Sequence, residues 1–243
     1  MTQQQPDPMR SLLAAAAPAA DARDMEALRG WLAGIGIEDE AKAARLLEVS
    51  YQLSAGGEYR DARTAAMLAA SLRPRTAKTR VDLAARLRTF NEGRLLQALV
   101  AGAGAASSMP IPLLLGFAAQ WSYLNRQQAA LALLDEAWRA DPDYPPTIVS
   151  RGQVLTYLGR LDEARQCFER CIQRAPRLAQ AHWFLAHVGK AAPGREHVAR
   201  LRAALQAPGI AAEDIASFAF ALHKELDDLG DHGGAWEALD QAC

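Results

Sequence analysis

The chain has 243 residues and a formal net charge of −1, so no overall field draws it to nucleic acid or to an anionic membrane. Half of its residues are hydrophobic, but 52 are alanine, which leaves a thin stock of larger apolar side chains for a core. Alanine favours helix and lets helices approach closely, and stretches of alternating β-branched residues are few, so the composition points to an all-α protein and away from a sheet.

In chain order, residues 1–22, opening "MTQQQPDPMRSLL", read as a disordered polar tail. Asp7 and two prolines occupy its leading region, and its apolar stretch is mostly alanine, a poor match to an export signal. A cytoplasmic location is expected, and three cysteines in a chain of this length suit a reducing compartment better than a disulfide framework. Residues 23–42, containing "ARDMEALRGWLAG", read as one leading helix or a degenerate repeat. No run approaches the roughly eighteen apolar residues of a membrane span.

From residue 43 a period emerges. Ala164 follows Ala130 by 34 residues, Cys171 follows Ala137, Phe168 follows Leu134, Gly152 follows Ala118 and Pro176 follows Pro142, all at the same spacing. Ala62 lies two periods before Ala130, and "GGEYRDARTAAMLAASLRP" adds Ala69 and Pro74 to the series. Pro110 stands two residues off register. Such a period is a helix–turn–helix unit: small residues sit where two helices cross, a larger apolar residue fills the gap, and proline ends the second helix. One such pair cannot bury its apolar face alone, so neighbours must stack. Units are expected near 43–76, 77–110, 111–144, 145–178, 179–215 and 216–243, with 77–110 degenerate because "AGAGAASS" falls where its second helix should end. Pro193 and Gly194 mark a turn inside the fifth unit. Leu229, Gly230 and Ala235 match Leu158, Gly159 and Ala164 at 71 residues, two periods plus three, which places a three-residue insertion in "APGIAAED".

These positions (small at eight, twenty and twenty-seven, large at twenty-four, proline at thirty-two) resemble the tetratricopeptide repeat family over residues 43–243. The resemblance implies an α-solenoid of about five to six helical hairpins that binds a peptide or partner domain in its concave groove. Within "HVARLRAALQAPGIAAEDIASFAFALHKELDDLGDHGGAWEALDQAC", the residues Phe220, Ala221, Leu222, Lys224, Leu226, Asp227, Asp228, Leu229, Gly230, Asp231, Ala235 and Trp236 are similar to repeats that precede the catalytic domain of bacterial tetratricopeptide-repeat sulfotransferases. That second likeness implies a non-catalytic region of an enzyme transferring sulfate from 3′-phosphoadenosine 5′-phosphosulfate, with the catalytic domain absent from this chain. The last unit reads as cut near its twenty-eighth position, so a following segment is expected to cover Leu239 and its apolar neighbours.

The residues themselves hold no recognisable active site. "RPRTAKTR" (73–80) is basic but joins two helices and lacks glycine, so it reads as an inter-repeat turn rather than a phosphate loop. His182 and His187 are five residues apart and do not share a helix face. With His197, His223 and His232 elsewhere, the five read as scattered surface or groove histidines, with no metal expected. Cys167 and Cys171, one turn apart, read as small packing residues, and Asp227 and Asp228 as solvated or turn-capping carboxylates. No cofactor is expected.

Under the repeat resemblance, the groove-facing positions are Tyr51, Val81, Arg88, Leu115, Tyr123, Gln153, Tyr157, Trp183, His187, Lys190 and Lys224. Tyr123 and Tyr157, one period apart, are expected along one wall. Rings mixed with a few cations suit a peptide, the rings supplying area and the cations pairing carboxylates. The lysine- and asparagine-rich clamp of chaperone adaptors is absent, since its positions hold Leu115, Ala119, Val149 and Gln153. The expected partner is a protein or peptide, not nucleic acid or membrane.

Overall fold

The computed structural model describes residue 30, residues 33–190 and residues 196–242. The tail expected at 1–22, the first part of the leading segment 23–42, the Pro193–Gly194 turn and Cys243 lie outside the described residues. From residue 39 onward the described residues form twelve α-helices and one 3-10 turn, with no strand. The helices are α1 (Asp39–Ala55), α2 (Tyr59–Ser71), α3 (Ala77–Thr89), α4 (Gly93–Ala101), α5 (Ile111–Tyr123), α6 (Gln127–Ala140), α7 (Pro145–Tyr157), α8 (Leu161–Arg174), α9 (Ala179–His187), α10 (Glu196–Leu205), α11 (Ala212–Asp228) and α12 (His232–Ala242). None is long and apolar enough to cross a membrane.

A single turn geometry punctuates the array. Gly57, Asn91, Asn125 and Gly159, each 34 residues after the last, all hold a left-handed φ, between 58° and 84°. At each, the following N–H closes back on a carbonyl five residues earlier: Glu58 to Leu53, Glu92 to Leu87, Arg126 to Trp121 and Arg160 to Leu155, at 2.7–2.9 Å. Gly230 and the Asp231-to-Leu226 bond repeat the arrangement 71 residues on, carrying the three-residue slip with them. This is the Schellman ending, in which a left-handed residue satisfies the last orphaned carbonyls of a helix. Glycine meets the conformation without strain, and asparagine tolerates it better than most residues.

The chain divides into two compact units, the first ending at Arg126 and the second beginning at Gln127. In the first, α1 packs on α2 and α3, α2 on α3 and α4, and α3 on α4 and α5. Ala62 and Ala69 are fully buried between them, beside Leu46, Leu53, Leu68, Leu83, Leu87 and Leu96. α4 stops after nine residues at Gly102, and the 3-10 turn Ala106–Ser108 leads to Pro110, which opens α5. The "RPRTAKTR" segment caps a helix here: the Thr76 side chain accepts from the Thr79 N–H, while the Glu40 carboxylate accepts from the Arg75 N–H at 2.6 Å and the Thr76 hydroxyl at 2.7 Å. Burial pushes the Glu40 pKa up, but these hydrogen bonds outweigh it and bring the pKa to about 2.

In the second unit α6 packs on α7, α7 on α8, α8 on α9, α9 and α10 on α11, and α11 on α12. Ala130, Ala137, Ala164 and Cys171 are fully buried, at the positions that the period reserves for small residues. Gly152 shows why: a Cβ there would lie 2.5 Å from Cε1 of Phe168, which is itself fully buried and stacked on Phe184 at 5.4 Å. α11 begins at Ala212, so it takes part of "APGIAAED" into its first turn, where Glu213 and Asp214 complement the helix dipole. Phe218, Leu222, Leu226, Ala235 and Ala238 continue the core toward α12, with Leu229 packed against it.

Candidate functional site

The sequence-derived positions of the first unit, Tyr51, Arg88 and Tyr123, lie on α1, α3 and α5, and each ring carries a guanidinium. Tyr123 is 73% exposed, and Arg88 Cζ sits 4.7 Å from its ring centroid while Arg88 Nε donates to Gln120 Oε1 at 2.8 Å. Tyr51, 47% exposed, is covered not by Arg88 but by Arg86, at 4.4 Å, and the same guanidinium lies 4.7 Å from Phe90. Arg86 is only 4% exposed. Its Nε and Nη2 donate to Ser50 Oγ, the Ser50 carbonyl and Ser54 Oγ at 2.6–3.0 Å, and Ser50 Oγ in turn donates to the Ala62 carbonyl at 2.6 Å. Burial lowers its pKa from the ordinary arginine value, though an arginine remains a cation. Val81, another register position, packs under α5: a Cβ on Gly116 would lie 2.5 Å from Val81 Cγ2.

In the second unit Tyr157 closes α7 at 71% exposure, with Gln153 half-buried one turn before it. On α9, Trp183 is half-buried, stacked on His187 at 4.2 Å and edge-on to Phe184 at 5.1 Å. His187 Nδ1 donates to the Trp183 carbonyl at 2.7 Å. Lys190 is exposed just beyond that helix, and Lys224 on α11 is half-buried and ion-paired with Asp228 one turn on. The two tyrosines spaced by one period thus close α5 in one unit and α7 in the other.

The histidines depart from the expectation of scattered surface groups. His182 and His197 are 1% and 7% exposed, with rings stacked at 5.3 Å, and Glu225 beside them is 5% exposed. The hydrogen bonds fix the protons. The Pro176 carbonyl can only accept, so His182 Nε2, 3.0 Å away, carries a hydrogen. Burial pushes the His182 pKa down to about 4, so the ring is neutral and its Nδ1 accepts from His197 Nε2 at 3.1 Å. His197 Nδ1 then faces Glu225 Oε1 at 2.7 Å, and that contact needs one more proton, held as imidazolium–carboxylate or imidazole–carboxylic acid. His182, His197 and Glu225 come from α9, α10 and α11 and are separated by 15 and 28 residues, so no local spacing announces them.

Against this cluster lies a cavity of about 480 Å³, bounded by Ile172, Pro176, His182, Arg200, Ile210 and Phe218 among others. Its wall is mainly apolar, and Arg200 is held by a two-point pair to Glu169 at 2.8 and 3.0 Å. Cys167 and Cys171 are buried free thiols, the first accepting from Arg151 Nη1 at 3.3 Å. Burial raises both their pKa values, Cys171 to about 11, so neither is an activated nucleophile.

Residues 146–178 match the family model for the tetratricopeptide repeat. No curated protein matches the chain in sequence. Among solved structures, PilW, a widely conserved type IV pilus biogenesis factor, is 18% identical, with 82% of this chain and 91% of that one covered at a TM-score of 0.50. The pilF protein of Pseudomonas aeruginosa is 16% identical, with 80% and 90% covered and the same TM-score of 0.50. At these identities the likeness is one of fold alone. The chain is an all-α, tetratricopeptide-like array of helix–turn–helix repeats, and residues 146–178 carry that family's sequence pattern.

Proposed function

We propose that the chain is a protein-interaction scaffold whose first helices present a peptide-binding surface, within each unit separately. The observation that carries this reading is the exposure of Tyr51, Tyr123 and Tyr157, at 47%, 73% and 71%, on α1, α5 and α7 of an otherwise well-buried helical array. An aromatic ring left in water at matching register positions offers large contact area at low entropic cost. The test replaces Tyr123 and Tyr157 by alanine, together and singly, and measures peptide binding beside thermal unfolding. Weakened binding with an unchanged melting temperature supports the reading; a large loss of stability shows that the rings serve packing instead.

A second reading keeps the sulfotransferase likeness. Phe220 and Trp236, both among its matching residues, are 39% and 71% exposed on α11 and α12, as expected of side chains that a neighbouring domain would cover. In that case the scaffold would position the substrate of an attached enzyme. Coding sequence beyond codon 243 decides it, and the absence there of a sulfotransferase domain overturns this second reading alone.

A further inference from the structure

Arg86 and Arg88 share a property that the other functional candidates lack: neither has a carboxylate partner among the described residues. Arg86 bonds two serine hydroxyls and a carbonyl, and Arg88 bonds an amide oxygen. Nη1 of Arg86 has no hydrogen-bond partner among the described residues, and it is not one of the fully buried orphaned atoms, which are Thr147 Oγ1, Arg170 Nε and Arg200 Nε. It therefore retains contact with solvent. The carboxylates nearby are engaged elsewhere: Asp39 with Lys42, Glu48 with Arg45, Asp82 with Lys78, Glu92 with Arg63, and Glu40 with the α2–α3 turn. Two guanidinium ions thus sit on α3 with their geometry fixed by rings and neutral acceptors, and with their charge unmatched.

Their placement is regular. Residues two apart on a helix point about 200° apart, so Arg86 leans to α1 and Arg88 to α5, as their partners Ser50 and Gln120 show. Between them runs the outer strip of α3, with Ala85 and Thr89, flanked by the exposed faces of Tyr51 and Tyr123. Resting on the peptide-surface reading above, we infer that this face of the first unit recognises an extended acidic peptide, one carboxylate reaching Arg86 Nη1 and a second the free donors of Arg88. A helix is about 10 Å across and an extended chain advances about 3.3 Å per residue, so the two acids stand about three residues apart. The tyrosines bracket the peptide, and holding each guanidinium against a ring limits the rotamer freedom lost on binding. Arginine suits the task because its planar fork keeps several donors when some are already spent on the protein.

The experiment pans a displayed library of random peptides on the full chain and then titrates fluorescent synthetic copies of the binders. The expected binders are rich in Asp and Glu at that spacing. Exchanging their acids for amides should weaken binding about tenfold, as should Arg88→Gln against the acidic copies, with far-ultraviolet circular dichroism and melting temperature unchanged. Arg88 carries this test because Arg86→Met risks unfolding α3. Binders that are neutral or basic, or an acid-to-amide exchange without effect, overturn the acidic assignment and leave the peptide surface standing. A library that returns no binder overturns the peptide surface itself. Saturable binding of inorganic phosphate without any acidic binder assigns the arginines to a free anion and overturns the peptide.

Discussion

In the first unit Arg86 and Arg88 rest on tyrosine rings and bond only neutral oxygens, whereas in the second unit Arg151 reaches Asp135, Arg200 reaches Glu169, and Arg170 and Arg174 share Asp143. The first unit has ion pairs too, such as Arg63 with Glu92, but they lie away from the tyrosine face. A cation neutralised within its own unit supports the fold and offers little to a ligand. A cation held in place without a counter-charge keeps its attraction for one. The second unit instead places its polar complexity inside, in the His182–His197–Glu225 chain.

The comparison breaks most severely at Glu225. Glu225→Ala removes the acceptor facing buried His197 and should cost about 3–5 kcal/mol in urea denaturation, against about 1–3 kcal/mol for Ser50→Ala beneath Arg86. Equal costs would mean that the two units handle buried polar groups alike. Acid should separate them next. The His182 pKa is lowered from 6.5 to about 4, so the unfolded chain binds the extra proton first as pH falls. Its contribution is therefore complete above about pH 6.5 and lost as pH drops toward 4, by up to about 3 kcal/mol. His182→Gln should flatten that slope, and a pH profile unaltered by the substitution would remove His182 as its source.

Close packing gives the third contrast. Gly152→Ala drives a methyl into the pinned Phe168 ring and should cost about 1–3 kcal/mol in thermal unfolding. Gly116→Ala meets half-buried Val81, whose side chain can shift, so its cost should fall below that of Gly152→Ala. The smallest effects concern the surface arginines. Arg200→Met breaks a pair whose members are about one-third exposed, at 34% and 36%, and should cost no more than about 1 kcal/mol. Arg88→Gln should stay within about 0.5 kcal/mol while abolishing salt-sensitive binding of acidic peptides.

The repeating skeleton was legible in the sequence because the period constrains side-chain size. Ala62, Ala69, Ala130, Ala137, Ala164, Phe168 and Cys171 all fall where the spacing places them, and all are fully buried. The left-handed turn residues were half legible: Gly159 and Gly230 stood out, while Asn91 and Asn125 look like ordinary loop asparagines until their φ angles are known. Cation placement was not legible. Tyr51 and Arg88 were both singled out, yet the guanidinium over Tyr51 belongs to Arg86, because side-chain direction across neighbouring helices is not a property of spacing. The histidine chain was invisible for a related reason, since it joins three helices whose intervals do not follow the period.

The proton between His197 and Glu225 also gives the second unit a built-in clock. Held in a 2.7 Å contact and away from solvent, it should appear as a far-downfield line in a proton spectrum and trade with deuterium only when α10 or α11 swings open. Its disappearance after transfer to heavy water would time that opening directly, at one atom and without a label.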